Sequence, residues 1–224
     1  MKKAAALAAA AVLSAAVLPG CSSNNKSSMS ASTDSSSSQV QPDLIDPNTD
    51  PTAGRLDGVE AAADGPKLTV SNTTAKAGET ASVTISVKDA DLKWNACGLH
   101  ITYPNVLQIE MFDEEARYPR NKKGDAVDYA TGTVAMVWKD NLPEELVKNE
   151  LLSVFFTAIF DGNNGLDGDI VTYFFDIPED AESGTVYPID FYFLETDMFT
   201  NAEDDVSFEK YAFTNWVGGS ITVE

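Results

Sequence analysis

Apolar and polar residues alternate with a period of two along most of the chain after residue 66. The clearest runs are 80–87, 97–103, 152–158 and 189–193, and the same pattern is assigned to 134–139, where Val134, Met136 and Trp138 alternate with Ala135, Val137 and Lys139. Because successive side chains of a β-strand point to opposite faces, these runs predict half-buried strands, separated by turns rich in Gly, Asn, Asp and Pro. Only residues 143–148 suit a helix, of one or two turns. The pattern predicts one all-β sandwich over 66–224.

The N-terminus reads as a secretory signal. Two lysines precede an apolar stretch over 4–18, which is too short for a permanent membrane span. A small residue followed by Cys21 at the expected cleavage point resembles a bacterial lipobox, in which the cysteine becomes the lipid-bearing N-terminus. Residues 1–20 are therefore expected to be a lipoprotein signal peptide, and the mature protein an extracellular, lipid-anchored surface protein. An ordinary signal with a coincidental cysteine is the alternative.

Residues 21–65 are rich in Ser, Pro and Asp. Apolar residues are too sparse there to offset the entropy of ordering the chain. We expect a flexible tether with a mean reach of roughly 35–40 Å. The chain thus divides into a signal peptide, a tether and a folded domain over 66–224.

The net charge and the cysteine content limit the classes of function that the protein can have. The formal net charge of -20 excludes nucleic-acid binding and leaves the lipid as the only membrane contact. If Cys21 is lipidated, Cys97 has no partner and is expected to be a buried, inert thiol without a disulfide. The sequence has no cluster of Cys and His residues that would indicate a zinc site, and no cofactor is expected.

Several segments, in this order, resemble the cohesin domain of cellulosome scaffolds and anchoring proteins. They are the turn KAGE with the strand after it (76–88), CGLHITYPNVL (97–107), GTVAMVWKD (132–140), SGTVYPIDF (183–191) and GGSITV (218–223). The family's Asp before Pro is missing, since Tyr103 runs directly into Pro104. The resemblance implies a nine-stranded jelly-roll β-sandwich, like a single-cohesin lipoprotein of the ruminococcal type.

The resemblance also implies a partner. In that family one sheet face binds a dockerin, a small calcium-loaded helical module of other secreted proteins. This chain has no tandem calcium loops of the dockerin type, so it would be the receptor, with calcium on the partner. The expected function is non-catalytic attachment of dockerin-bearing cellulosomal components, which act on polysaccharide, to the cell. The free protein is expected to be monomeric.

Alternation separates the predicted core from the predicted binding face. The inward set is Leu99, Ile101, Val134, Met136, Trp138, Val154 and Phe156. Their neighbours then form the dockerin face: Ala96, Gly98, His100, Ala135, Val137, Lys139, Ser153, Phe155 and Thr157. Phe155 and Val137 would be its apolar centre. A loop of the same chain covering Phe155 is the alternative.

Catalysis has little support. The chain has one histidine, no G-x-S-x-G motif, and carboxylates scattered over turns, so we do not expect an enzyme. The run 161–169 is rich in carboxylates but misses the EF-hand spacing, which favours a hairpin turn and leaves calcium binding open.

A carbohydrate-binding module on a surface lipoprotein is the main rival function. Such modules share the sandwich architecture and hold sugar rings on a row of exposed aromatic side chains. Most aromatic residues here belong to strands whose pattern indicates core. Tyr192 is the one expected to face outward.

Overall fold

The structure is a computed structural model that describes residues 66–193, 197–202 and 215–224. Almost all regular structure in these ranges is β, arranged as two packed sheets with a small separate hairpin. The predicted all-β sandwich is confirmed. The predicted signal peptide, Cys21 and the tether lie outside the described residues.

The first sheet has the strand order β14-β1-β3-β11-β5, and β8 also pairs with β11. Its strands are β1 (Lys67–Val70), β3 (Thr80–Lys88), β5 (Gln108–Ile109), β8 (Asn121–Lys123), β11 (Gly168–Asp176) and β14 (Trp216–Val217). Pairing is antiparallel except between β1 and β14.

The second sheet has the order β2-β15-β12-β4-β10-β9, and β13 also pairs with β4. Its strands are β2 (Asn72–Ala75), β4 (Ala96–Pro104), β9 (Gly132–Trp138), β10 (Leu151–Ile159), β12 (Val186–Tyr192), β13 (Met198–Thr200) and β15 (Gly219–Val223). The hairpin is β6 (Met111–Asp113) with β7 (Tyr118–Pro119). A 3₁₀ turn (Asp125–Val127) and α1 (Glu144–Lys148) complete the described elements.

The core lies between the sheets because each strand buries one of its two faces. Val83, Ile85 and Val87 of β3 are fully buried, as their alternation predicts. Cys97 of β4 is a free thiol in the same core, and burial raises its pKa to about 12. The thiol is therefore protonated and unreactive at neutral pH.

The two ends of the folded region join the sheets. The first run of chain passes at Ser71 from β1 in the first sheet to β2 in the second, and the last run does the same at Gly218 between β14 and β15. Both crossings lie side by side, and a Cβ on Gly219 would come within 2.2 Å of the Ser71 carbonyl oxygen. Only glycine allows this approach.

The side of strand β9 that faces the core is the opposite of the side predicted. Val134 and Met136 are 45% and 42% exposed, whereas Ala135 and Val137 are only 8% and 2% exposed. Val137 lies opposite Val154 of β10, whose side chain points into the core. The assignment of Ala135 and Val137 to the outer face was therefore wrong. Residues 134–138 are all apolar, so their alternation carries no orientation signal.

Candidate partner-binding face

The outer surface of β9, β10 and β4 forms a continuous apolar area. Cross-strand pairing places Met136 beside Phe155 and Phe155 beside His100. The next row aligns Val134 with Thr157 of β10. We call the surface formed by His100, Val134, Met136, Trp138 and Phe155 the docking face.

Phe155 is the centre of the docking face and is held by its neighbours. Its ring lies over Gly98, where a Cβ would be 3.3 Å from Cζ of Phe155. The imidazole of His100 lies against the same ring with centroids 4.7 Å apart, and 5.5 Å from the ring of Trp138. Gly98 thus makes room for a half-buried aromatic side chain whose position is fixed in the free protein.

The docking face encloses a shallow, open depression of about 440 Å³. It is lined by His100, Arg117, Val134, Met136, Val137, Trp138 and Phe155. Arg117 comes from the loop between β6 and β7 and forms an ion pair with Asp140 at the rim. Because Phe155 lines open space, no loop of the described chain encloses it. An apolar centre with a charged rim is the usual composition of a protein interface.

Polar groups on this surface already have partners within the protein. The hydroxyl of Thr157 donates to the Cys97 carbonyl oxygen at 2.8 Å. His100 Nδ1 lies 2.7 Å from Oδ1 of Asp197, a fully buried carboxylate. A partner on the docking face would therefore gain mainly from apolar contact rather than from new hydrogen bonds to these groups.

One end of the sheet's outer surface is covered. Leu146 of α1 packs with Leu151 and Tyr192, which lie on the same outer side as Phe155. Ser153 is fully buried nearby and donates to the Ile101 carbonyl oxygen at 3.0 Å. Ser153 is thus on the predicted side but inaccessible, which corrects its assignment as a contact residue. Tyr192 is also buried, so it presents no ring to a sugar.

The remaining predicted residues have mixed positions. Gly98 is buried beneath Phe155, while Ala96 and Thr157 are partly exposed on the outer side. Lys139 is exposed one residue after the end of β9.

Sequence reasoning missed four contributors to the depression. Val134, Met136 and Trp138 had been assigned to the core, and Arg117 arrives from a hairpin distant in sequence. Knowledge of the β9–β10 register would have identified the first three, since Met136 pairs with Phe155.

Carboxylates of the 161–169 run support its loop structure. Asp167 accepts backbone N–H bonds from Asp89 at 3.1 Å and from Ala90 at 2.7 Å. Asp169 accepts from the Ser86 hydroxyl at 2.7 Å. Among the described residues there is no cluster of three or more acidic, His or Cys side chains suited to a metal ion.

Within the described ranges, no helix is long and apolar enough to span a bilayer. The expected lipid anchor at Cys21 lies outside those ranges and stays a prediction.

Residues 66–193 match the model of the family described as Cohesin domain. The chain is similar to a type III cohesin module of the cell-surface anchoring scaffoldin ScaE from Ruminococcus flavefaciens, with 24% identity, a TM-score of 0.58, and coverage of 71% of this chain and 88% of that one.

Two further solved structures are similar. One is the OlpA cohesin–dockerin complex of Clostridium thermocellum, with 16% identity, a TM-score of 0.50 and coverage of 72% and 100% of the two chains. The other is the third ScaC cohesin of Acetivibrio cellulolyticus in complex with the ScaB dockerin, with 18% identity, a TM-score of 0.50 and coverage of 70% and 98%. These likenesses confirm the jelly-roll fold. The comparison with curated proteins finds no significant match.

Proposed function

Because the chain belongs to the cohesin domain family, we propose that it is a non-catalytic surface lipoprotein that captures a dockerin module of another secreted protein. The two complexes named above carry a dockerin on a cohesin of the same fold. The lipid on Cys21 and the tether would then hold the dockerin-bearing protein, a component of polysaccharide degradation, at the cell surface.

The observation that carries this proposal is the docking face. Met136 and Val134 are large apolar side chains that are more than 40% exposed, beside a half-buried Phe155. A free protein gains nothing by presenting such a contiguous apolar area to water, whereas a helical partner would bury it. The face is open and shallow, as the side of a helix requires, and offers no deep cleft for a substrate.

Direct binding to purified dockerins tests the proposal. The full mature protein is mixed with a panel of dockerin-bearing proteins, with and without calcium, and the affinity is measured by calorimetry. Removal of calcium should abolish capture, because the partner and not this chain is expected to require the ion. If none of the panel binds in the presence of calcium, the proposed function is wrong.

Variants locate the contact. Phe155→Ala should weaken capture by about 1–2 kcal/mol, roughly 5- to 30-fold, because a partner would bury the part of this half-buried ring that the free protein leaves exposed. Met136→Asp should abolish capture by placing a charge in the apolar centre. Val217→Asp is the matched control, because Val217 is 45% exposed on the other sheet. Equal binding by Met136→Asp and Val217→Asp would place the partner elsewhere.

Anchoring is tested separately in cells. Cys21→Ala should release the protein into the medium, since a lipid attached to that thiol would be its only link to the membrane. Retention of this variant in the membrane fraction would contradict lipid anchoring while leaving dockerin capture untouched.

A further inference from the structure

Strand β9 forms a free edge of the second sheet next to the docking face. In an antiparallel strand, every second residue points both its N–H and its C=O at the neighbouring strand on one side. The residues between them point these groups to the opposite side. The N–H of Val137 points away from β10 and donates to the Arg117 carbonyl oxygen at 3.0 Å. The backbone groups of Thr133 and Ala135 therefore point the same way, and within the described part of the chain they make no hydrogen bond.

A groove of about 390 Å³ runs along this edge. One wall is residues 133–135 of β9, and the other is formed by Phe112, Tyr118, Pro119, Arg120 and Asn121. The Val137–Arg117 bond closes one end. Beyond it the two segments separate, so the unpaired groups of β9 face open space bordered by a second wall.

We propose that this groove takes an extended segment of the captured partner, which pairs with Thr133 and Ala135 as an added strand. This inference rests on the proposed function, since the segment would be the stretch of the partner that flanks its docking helix. Val134 lines both the groove and the docking face. A chain that leaves a helix on the docking face therefore enters the groove directly.

The hairpin wall indicates the chemistry of the segment. Phe112 at the hairpin is 83% exposed and Tyr118 is also exposed, so both can contact apolar side chains of an added strand. Arg120 lines the same wall, and its guanidinium forms an ion pair with Glu110. The wall therefore favours a segment that carries apolar side chains beside its pairing backbone.

The hairpin also argues against pairing with a second copy of this chain. Edge strands of two domains join only when both approach closely along their length. Here the β6–β7 hairpin stands beside the edge, so the groove admits a single extended chain more readily than a folded domain.

Calorimetry with Thr133→Pro and Thr133→Val tests the groove. Proline removes the N–H that faces the groove and is tolerated at an edge position, whereas valine keeps the donor and the branched shape. Each variant is titrated with a dockerin-bearing protein in two forms, one with its natural flanking segments and one trimmed to the dockerin. We expect Thr133→Pro to bind the longer form roughly three- to tenfold more weakly than Thr133→Val, and both to bind the trimmed form equally.

Amide hydrogen exchange of the wild-type protein gives a second readout that does not depend on a variant. The amides of Thr133 and Ala135 should become protected on adding the longer form and not on adding the trimmed form. Equal affinities of the two variants for the longer form, or unchanged exchange, overturn the groove while dockerin capture stands. Protection that appears without any partner as protein concentration rises would assign the edge to self-association instead. Failure of the wild type to bind either form overturns the proposed function itself.

Discussion

Neighbouring residues of β9 should respond in opposite ways to the same truncation. Val137 is 2% exposed between the sheets, and Met136 is 42% exposed on the docking face. Val137→Ala removes two methyl groups from the core, which costs about 1.6 kcal/mol in transfer free energy, and the cavity left behind raises the loss to about 2–3 kcal/mol. Met136→Ala should change the free energy of unfolding by about 0.5 kcal/mol or less.

Capture should show the reverse order. Met136→Ala should weaken binding of a dockerin by about 1 kcal/mol or more, because its side chain is buried only when the partner is present. Val137→Ala should weaken binding much less than Met136→Ala under conditions where it is fully folded, since the Val137 side chain faces the core although the residue borders the depression.

Equilibrium unfolding in urea, followed by tryptophan fluorescence and circular dichroism, measures the stability of both variants, and calorimetry measures their binding. Equal dependence of the unfolding free energy on urea concentration would show that the unfolded state is unchanged. A Val137→Ala protein within 0.5 kcal/mol of the wild type, paired with a strongly destabilised Met136→Ala protein, would refute the observed orientation of β9.

Three further outcomes are expected. The Tyr103 hydroxyl is buried without a hydrogen-bond partner among the described residues, so Tyr103→Phe should raise the free energy of unfolding by about 1 kcal/mol in urea melts. Tyr173→Phe is the control and should not raise it, because it loses a 3.5 Å hydrogen bond to the Phe155 carbonyl oxygen. A lower free energy of unfolding for Tyr103→Phe would contradict this reasoning. Burial raises the pKa of Cys97 from 9.0 to about 12, so the thiol ionises in the unfolded chain at a lower pH than in the folded protein. The free energy of unfolding should therefore fall between pH 9 and 12, by up to about 1.4 kcal/mol per pH unit. Cys97→Ala should reduce that slope, and an unchanged slope would refute the assignment to Cys97. Gly98→Ala should displace the Phe155 ring and weaken capture more than it weakens folding; unchanged affinity would show that the ring position is unimportant.

Local pattern accounted for the fold and for two of the three strands of the docking face. Within 97–103 of β4 and 152–158 of β10, inward residues such as Leu99 and Phe156 are apolar, while the alternate positions are small or polar except for Phe155. Both strands bury the predicted side. The buried state of Cys97 was predictable for the same reason. Periodicity shows which side of a strand is apolar, and this is enough to predict the buried side when only one side is mainly apolar.

Long-range packing decided the orientation of β9 and the accessibility of the outer surface. All five residues 134–138 are apolar, so only pairing with β10 determined that Val137 faces the core and Met136 faces outward. Ser153 and Tyr192 became inaccessible because Leu146 of α1 packs over that end of the sheet.

The composition of the docking face has the same origin. His100 is held by Asp197, and Arg117 reaches the rim from the β6–β7 hairpin. Alternation along a strand is a local property that the chain carries before it folds. Register, covering loops and contacts between distant residues arise only when several segments compete to bury the same apolar area, and that competition is settled by packing of the whole domain.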